Sequence, residues 1–144
     1  HKFMIMKVII INGPNLNLLK DRNTDIYGEM SFEDYYVTLK EYFFSIDLNY
    51  YQSNIEGDLI NKMQEVVDLY DYIILNAGGY SHTSVSIADC IEAIPIPVIE
   101  VHISNIYSRE EFRKKSLLSP YCLGAIVGLG LNGYKLALEH IINK

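Results

Sequence analysis

Three stretches of this sequence carry side chains that could take a proton from one part of a small molecule and return it to another. The first runs Ile11-Asn12-Gly13-Pro14-Asn15-Leu16-Asn17-Leu18-Leu19 and continues to Arg22 and Tyr27-Gly28. The second is Asn76-Ala77-Gly78-Gly79-Tyr80-Ser81-His82-Thr83-Ser84. The third is Glu100-Val101-His102-Ile103-Ser104-Asn105, with Arg113 shortly after it. Their content of amides, hydroxyls, histidine and arginine exceeds what turns alone require.

Tyr27 is one of twelve tyrosines, most of which suit an amphipathic core or surface role. It stands apart because it lies on a polar stretch, between Arg22 and Gly28. Two readings are balanced: a tyrosine covering an apolar edge, or a base. A phenol of pKa about 10 that works as an anion near pH 7 needs about 4 kcal/mol in favour of the charged form. One arginine within a few ångströms lowers a pKa by roughly 1–3, so two suffice; Arg22 is one candidate and Arg113 the other.

Glu100 and His102 are two apart on a strand-like run, so their side chains point to the same face. A strand histidine is commonly a satisfied core residue. At a strand's carboxyl end beside Ser104 and Asn105, with a carboxylate fixing its tautomer, it also fits a general acid. His82 fits either a helix cap or a substrate contact. No HxxxH or carboxylate-rich spacing joins the two histidines, so no metal site is expected. Glu56 fits a carboxylate complementing a helix dipole, and Asp89 a solvated or interface carboxylate.

The elements that must position these groups alternate regularly. Strands are expected over 6–11, 48–53, 72–76, Val98 to Ile103 and from Ala125 to Val127, with Val8 to Ile11 and Tyr72 to Leu75 forming continuous apolar runs of the kind buried on both faces. Ser31 and Asp34 read as a capping box opening a helix whose stripe includes Phe32, Tyr35, Tyr36, Leu39, Phe43 and Ile46. Further helices are expected over about 57–70, from Thr83 or Ser84 to about Glu92, from a Ser108–Glu111 capping box carrying Arg109 and Arg113, and from about Asn132 to Asn143. Five β-α units with short connections call for one α/β domain over 1–144, a parallel sheet covered by helices on both faces. Open sheets of this type build ligand crevices outside the carboxyl ends of their strands, where all three stretches fall.

Bulk properties narrow the function. The 144 residues are 49% hydrophobic and 21% charged, which fits one ordinary folded domain. A formal charge of −6 and the lack of a basic stripe argue against nucleic acid as a partner. No apolar stretch reaches membrane-spanning length and no signal peptide is apparent. Cys90 and Cys122 have no CxxC spacing and read as free thiols of a reducing compartment, consistent with a cytoplasmic protein. His1 to Phe3 read as a tag remnant, with a native start at Met4 or Met6. Gly128-Leu129-Gly130-Leu131-Asn132-Gly133 matches a dinucleotide fingerprint, but the stretch from Gly133 to Lys144 leaves no room for the following strand and its acidic residue. Close helix-to-strand packing is the expected role of those glycines, and no cofactor is expected.

Taken together, the first stretch, Gln52-Ser53-Asn54-Ile55-Glu56-Gly57, the second stretch extended to Val85, the third stretch, and Ser108-Arg109-Glu110-Glu111-Phe112-Arg113 resemble, in order, the motif blocks of the type II 3-dehydroquinate dehydratases. The resemblance spans essentially the whole chain. It implies a flavodoxin-like three-layer sandwich with a five-stranded parallel sheet, and dehydration of 3-dehydroquinate to 3-dehydroshikimate in the shikimate pathway without metal or organic cofactor. It further implies that Tyr27 is the base, held ionised by Arg22 and Arg113, and that Asn15 positions a water that stabilises the enolate. His102, supported by Glu100, would protonate the departing hydroxyl, which Asn76 also binds. Ile103 and Ser104 would take the substrate carboxylate, and His82 and Arg113 the ring hydroxyls. The family is typically a dodecamer of four trimers, and Asp89 matches an aspartate that reaches a neighbouring subunit's site.

The chain departs from the family pattern at Lys20, where glycine is common, at Arg22-Asn23-Thr24, where Arg-Glu-Pro is common, and at Ala88, where arginine is frequent. The rival reading from another class is a flavodoxin-like binding or signalling module, because fold alone does not fix function. A phospho-receiver needs an acidic cluster after its first strand, where this chain has Asn12 and Asn15.

Overall fold

The computed structural model describes residues 5–21 and 30–144. Arg22, Asn23, Thr24 and Tyr27 lie outside the described residues. The five strands are β1 (Met6–Asn12), β2 (Ile46–Gln52), β3 (Tyr72–Asn76), β4 (Val98–His102) and β5 (Gly124–Val127). The helices are α1 (Phe32–Tyr42), α2 (Glu56–Glu65), α3 (Val85–Ala93) and α4 (Asn132–Ile142). All strand pairs are parallel, in the order β2-β1-β3-β4-β5. This is the doubly wound order in which the chain reverses direction across the sheet between β1 and β3.

Strand alternation divides the core in two. Val8, Ile10, Ile74, Ile99 and Val101 pack with Phe32 and Leu39 of α1 and with Tyr134, Ala137, Leu138 and Ile141 of α4. Ile9, Ile11, Ile73 and Leu75 pack on the other face with Leu59 and Met63 of α2 and Ile87 and Ile91 of α3. The expected three-layer α/β sandwich with a five-stranded parallel sheet is therefore present.

Three helical expectations differ from the structure. The first is α2, which ends at Glu65 instead of near 70 because the β-branched Val66-Val67 pair opens a run of turns. The helical stripe of α1 does not continue to Ile46: Phe43 leaves helical geometry at φ −103°, ψ 53°, and Ile46 starts β2 opposite Met6. Burial of Ile46 in the sheet overrides a periodicity that fits either element. No α-helix forms over 108–113, where Ile106–Ser108 and Glu111–Arg113 are two separate 3₁₀ turns. The Asn105 side chain accepts from the Tyr107 amide at 3.1 Å, and Ser108 Oγ donates back to the Asn105 carbonyl at 2.9 Å instead of capping a following turn. These local bonds offer the backbone an alternative to a helix. Arg109 and Glu110 are extended as a result.

The first two chemical stretches touch one another. The Gly13 amide donates to the Asn76 carbonyl at 2.7 Å, and a Cβ on Gly13 would lie 2.6 Å from the Ala77 carbonyl oxygen. Backbone cannot yield there as a flexible side chain would. Gly13→Ala is expected to cost about 1–3 kcal/mol, read as a lower urea midpoint at unchanged slope; an unchanged midpoint would show that the two loops separate freely. Gly133 has the packing role expected of it, since a Cβ there would meet Val101 Cγ1 at 3.2 Å.

Candidate active site

The loops after β1, β3 and β4 enclose a cleft of about 150 Å³ at the carboxyl edge of the sheet. Asn15, Asn76, His82, His102, Ile103, Ser104 and Arg113 all line it, as the sequence reading expects. Asp89 lies exposed on α3 and does not line the cleft of its own chain. Alternation along the strands sends the groups in from opposite sides: Asn12 and Asn76 are register partners on the α1/α4 face, while Glu100 and His102 share the α2/α3 face. The cleft straddles the sheet edge between them.

Asn15 is the one non-glycine among the described residues with positive φ, at 70°. Asparagine tolerates this left-handed region better than most residues. Its amide is held by the Asn54 side-chain carbonyl at 3.0 Å, and Gln52 Nε2 ties the Gly13 carbonyl and Asn54 Oδ1, each at 3.1 Å. The end of β2 thus fixes the loop after β1. A second bond across the same region joins Ser84 Oγ to Glu56 at 2.5 Å. Ser84 also caps α3 by accepting from the Ile87 amide at 2.9 Å, so Glu56 holds a neighbouring helix start as well as complementing its own.

His102 and Glu100 form a buried pair, His102 Nε2 lying 2.5 Å from Glu100 Oε2. With Nε2 engaged, Nδ1 is the ring nitrogen left for a substrate. The His82 ring stacks on His102 at 6.1 Å between centroids, and its Nδ1 contacts the Lys115 carbonyl at 2.9 Å. Glu100 also accepts from Ser116 Oγ at 2.6 Å and from Ser119 Oγ. Burial pushes the Glu100 carboxyl upward, but the bonds from His102, Ser116 and Ser119 outweigh it and leave Glu100 below its ordinary value. Cys122, behind this cluster, is pushed up to about 12 by burial and by the Glu100 charge, which keeps it a thiol.

A carboxyl lowered on folding stabilises the fold above its unfolded value of 4.5, and that contribution disappears as pH falls through the lower folded value. Glu100→Gln is expected to flatten the acid limb of the stability curve. Urea midpoints of both proteins between about pH 6 and pH 3 test this, and parallel curves would rule out Glu100 as a source of acid sensitivity.

Arg109, not singled out for the cleft by the sequence, lines it and donates from Nη1 to Ser104 Oγ at 3.1 Å. Arg113 Nε donates to Glu110 at 3.0 Å while the residue lines the cleft. The extended Arg109–Glu110 segment joins the two 3₁₀ turns, and both arginines line the cleft. Two arginines with the Ile103–Ser104 backbone make this end suitable for a carboxylate. Ser116, Ser119 and Tyr134 were also unmarked by pattern. The serines follow Glu100 on a separate loop, and Tyr134 reads as part of an apolar helical stripe. Among the described residues, no group of three or more His, Cys, Asp or Glu could hold a metal ion, and no helix is long and apolar enough to cross a membrane.

Comparison with known proteins shows the family. The class II dehydroquinase family model matches residues 6–142. A 3-dehydroquinate dehydratase of Campylobacter jejuni subsp. jejuni is 51% identical over 139 residues, covering 95% of this chain and 87% of that one. One from Fusobacterium nucleatum is 51% identical over 142 residues, covering 95% and 97%. The crystal structure of a type II dehydroquinase from Butyrivibrio crossotus superposes with a TM-score of 0.90 at 46% identity, covering 96% of this chain and 98% of that one. With a family model matching nearly the whole chain, relatives at 51% identity and the flavodoxin-like sheet in place, the chain belongs to the class II dehydroquinase family.

Proposed function

We propose that this chain dehydrates 3-dehydroquinate to 3-dehydroshikimate through an enolate, as a hydro-lyase of the shikimate pathway. The observation that carries the reading is the buried His102–Glu100 pair beside Asn76 at the cleft, in a chain 51% identical to a protein of that name. Tyr27, as tyrosinate, removes a proton from C2 and the electron pair moves onto the ketone oxygen. Asn15, held at its positive φ, orients a water toward that oxygen. The enolate then collapses, the C1–O bond breaks, and His102 delivers a proton so that water departs. Asn76 binds the leaving hydroxyl; Ile103, Ser104 and Arg109 take the carboxylate; His82 and Arg113 hold the ring hydroxyls. Arg22 and Arg113 favour the phenolate of Tyr27.

A homododecamer of four trimers, with Asp89 of α3 reaching a neighbouring subunit's cleft, completes the proposed site. Exposure of Asp89 within its own chain supports this role. The free thiols Cys90 and Cys122 fit work in the cytoplasm. Direct assay with 3-dehydroquinate, following the ultraviolet-absorbing enone, tests the activity, and absence of turnover by folded protein would overturn it. Light scattering on a sizing column tests the assembly; a stable monomer would remove Asp89 from the site.

A further inference from the structure

Tyr134 of α4 is fully buried, and its hydroxyl, which the proposed mechanism does not use, lies between two asparagine side chains. It donates to Asn12 Oδ1 at 2.8 Å and accepts from Asn76 Nδ2 at 2.9 Å. Asn76 Oδ1 in turn accepts from the Gly78 amide at 3.1 Å. A hydroxyl has one proton, so donation to Asn12 leaves its oxygen as an acceptor toward Asn76. The order of donors therefore specifies one orientation of the Asn76 amide, with its carbonyl on Gly78 and one N–H on Tyr134. The second N–H remains for the cleft that Asn76 lines. The Tyr134 ring is fixed by an edge-on contact with Phe32 at 4.9 Å between centroids. Burial raises its pKa, so the hydroxyl keeps the proton that gives this run of hydrogen bonds its direction.

Building on the dehydratase reading, we infer that Tyr134, oriented by Asn12, is a positioning residue that holds the Asn76 amide with an N–H aimed at the leaving hydroxyl. A donor so fixed needs no reorientation as charge develops on that oxygen. Tyr134→Phe keeps the ring and its packing but removes the acceptor, leaving Asn76 free to turn its carbonyl toward the hydroxyl. Asn12→Ala acts one step further back, because a Tyr134 hydroxyl without that acceptor can donate to Asn76 instead.

The test combines a double-mutant cycle with a direct probe of Asn76. Tyr134→Phe is expected to lower kcat/KM for 3-dehydroquinate about tenfold when Asn76 is present. In an Asn76→Ala background, which keeps Tyr27 and His102, the same change is expected to lower it less than about twofold. An equal loss in both backgrounds would make Tyr134 merely structural and overturn the proposal. In protein labelled with ¹⁵N at asparagine, the side-chain amide protons of Asn76, identified by their disappearance in Asn76→Ala, should exchange slowly with deuterium in wild type. Exchange should be at least about tenfold faster in Tyr134→Phe. Exchange in wild type as fast as at a surface asparagine would overturn the proposal without any Tyr134 variant, and Asn12→Ala replaces Tyr134→Phe in the cycle should the latter not fold. Wild-type protein with slow Asn76 exchange but no turnover of 3-dehydroquinate would overturn the dehydratase reading and leave the network standing.

Discussion

Tyr27→Phe is expected to abolish turnover of 3-dehydroquinate, with kcat falling by about 10³ or more while KM changes by less than about threefold. The change deletes one oxygen, the atom proposed to accept the C2 proton, and leaves a ring of nearly the same shape. Phenol is a poor base at neutral pH because its anion is disfavoured by about 4 kcal/mol. Arg22 and Arg113 are the guanidiniums proposed to offset that, and Arg113 lines the cleft, bonded to Glu110. Loss of proton abstraction should also abolish exchange of the C2 proton with deuterated water, which NMR of recovered substrate would reveal. Turnover within tenfold of wild type would remove Tyr27 as the base.

His102→Gln should lower kcat by about 10²–10⁴, the usual contribution of a positioned general acid. Hydroxide is a poor leaving group, and the imidazole is the group proposed to supply the proton that lets water leave. The effect differs in kind from that at Tyr27. Enolate formation precedes His102's step, so the variant should still exchange the C2 proton while making little product. A further consequence is structural: the buried Glu100 carboxylate keeps Ser116 and Ser119 but loses its imidazole partner. Loss of one bond to a buried charge costs about 1.5–3 kcal/mol, visible as a lower thermal midpoint. If exchange and dehydration fall together, His102 acts before or within enolisation and the assignment of acid and base must be redrawn.

Much of this architecture was legible locally. β3 has the expected bounds and β1, β2, β4 and β5 are offset by at most two residues at an end; for β1 and β3 the reason is that a strand buried on both faces leaves a continuous apolar run. The Ser31 cap also stands, accepting from the Asp34 amide at 3.1 Å. The expected helix over Ser108 to Arg113 failed because Ser108 has two uses for one hydroxyl, and bonding back to Asn105 won. Ile46 fitted the stripe of α1, but its pairing with Met6 drew it into β2. Tyr134 was hidden for a related reason. A tyrosine on an apolar helical stripe looks like core, and only its buried partners Asn12 and Asn76 show what the hydroxyl does.

The sequence by itself determined which chemical groups share a loop and which side of a strand they occupy. The pairing of Glu100 with His102 is of this kind, since a period of two puts both on one face whatever surrounds them. Tertiary structure decided which loops meet. Nothing in the residues around Asn15 states that β1 will lie beside β3, or that β4 will follow β3 in the sheet; the packing of two helical layers on opposite faces settles that order. The same long-range packing brings Ser116 and Ser119 to Glu100, Arg109 to Ser104, and Tyr134 between two asparagines. Directed hydrogen bonds among distant residues depend on distances of tenths of an ångström, which no local pattern encodes.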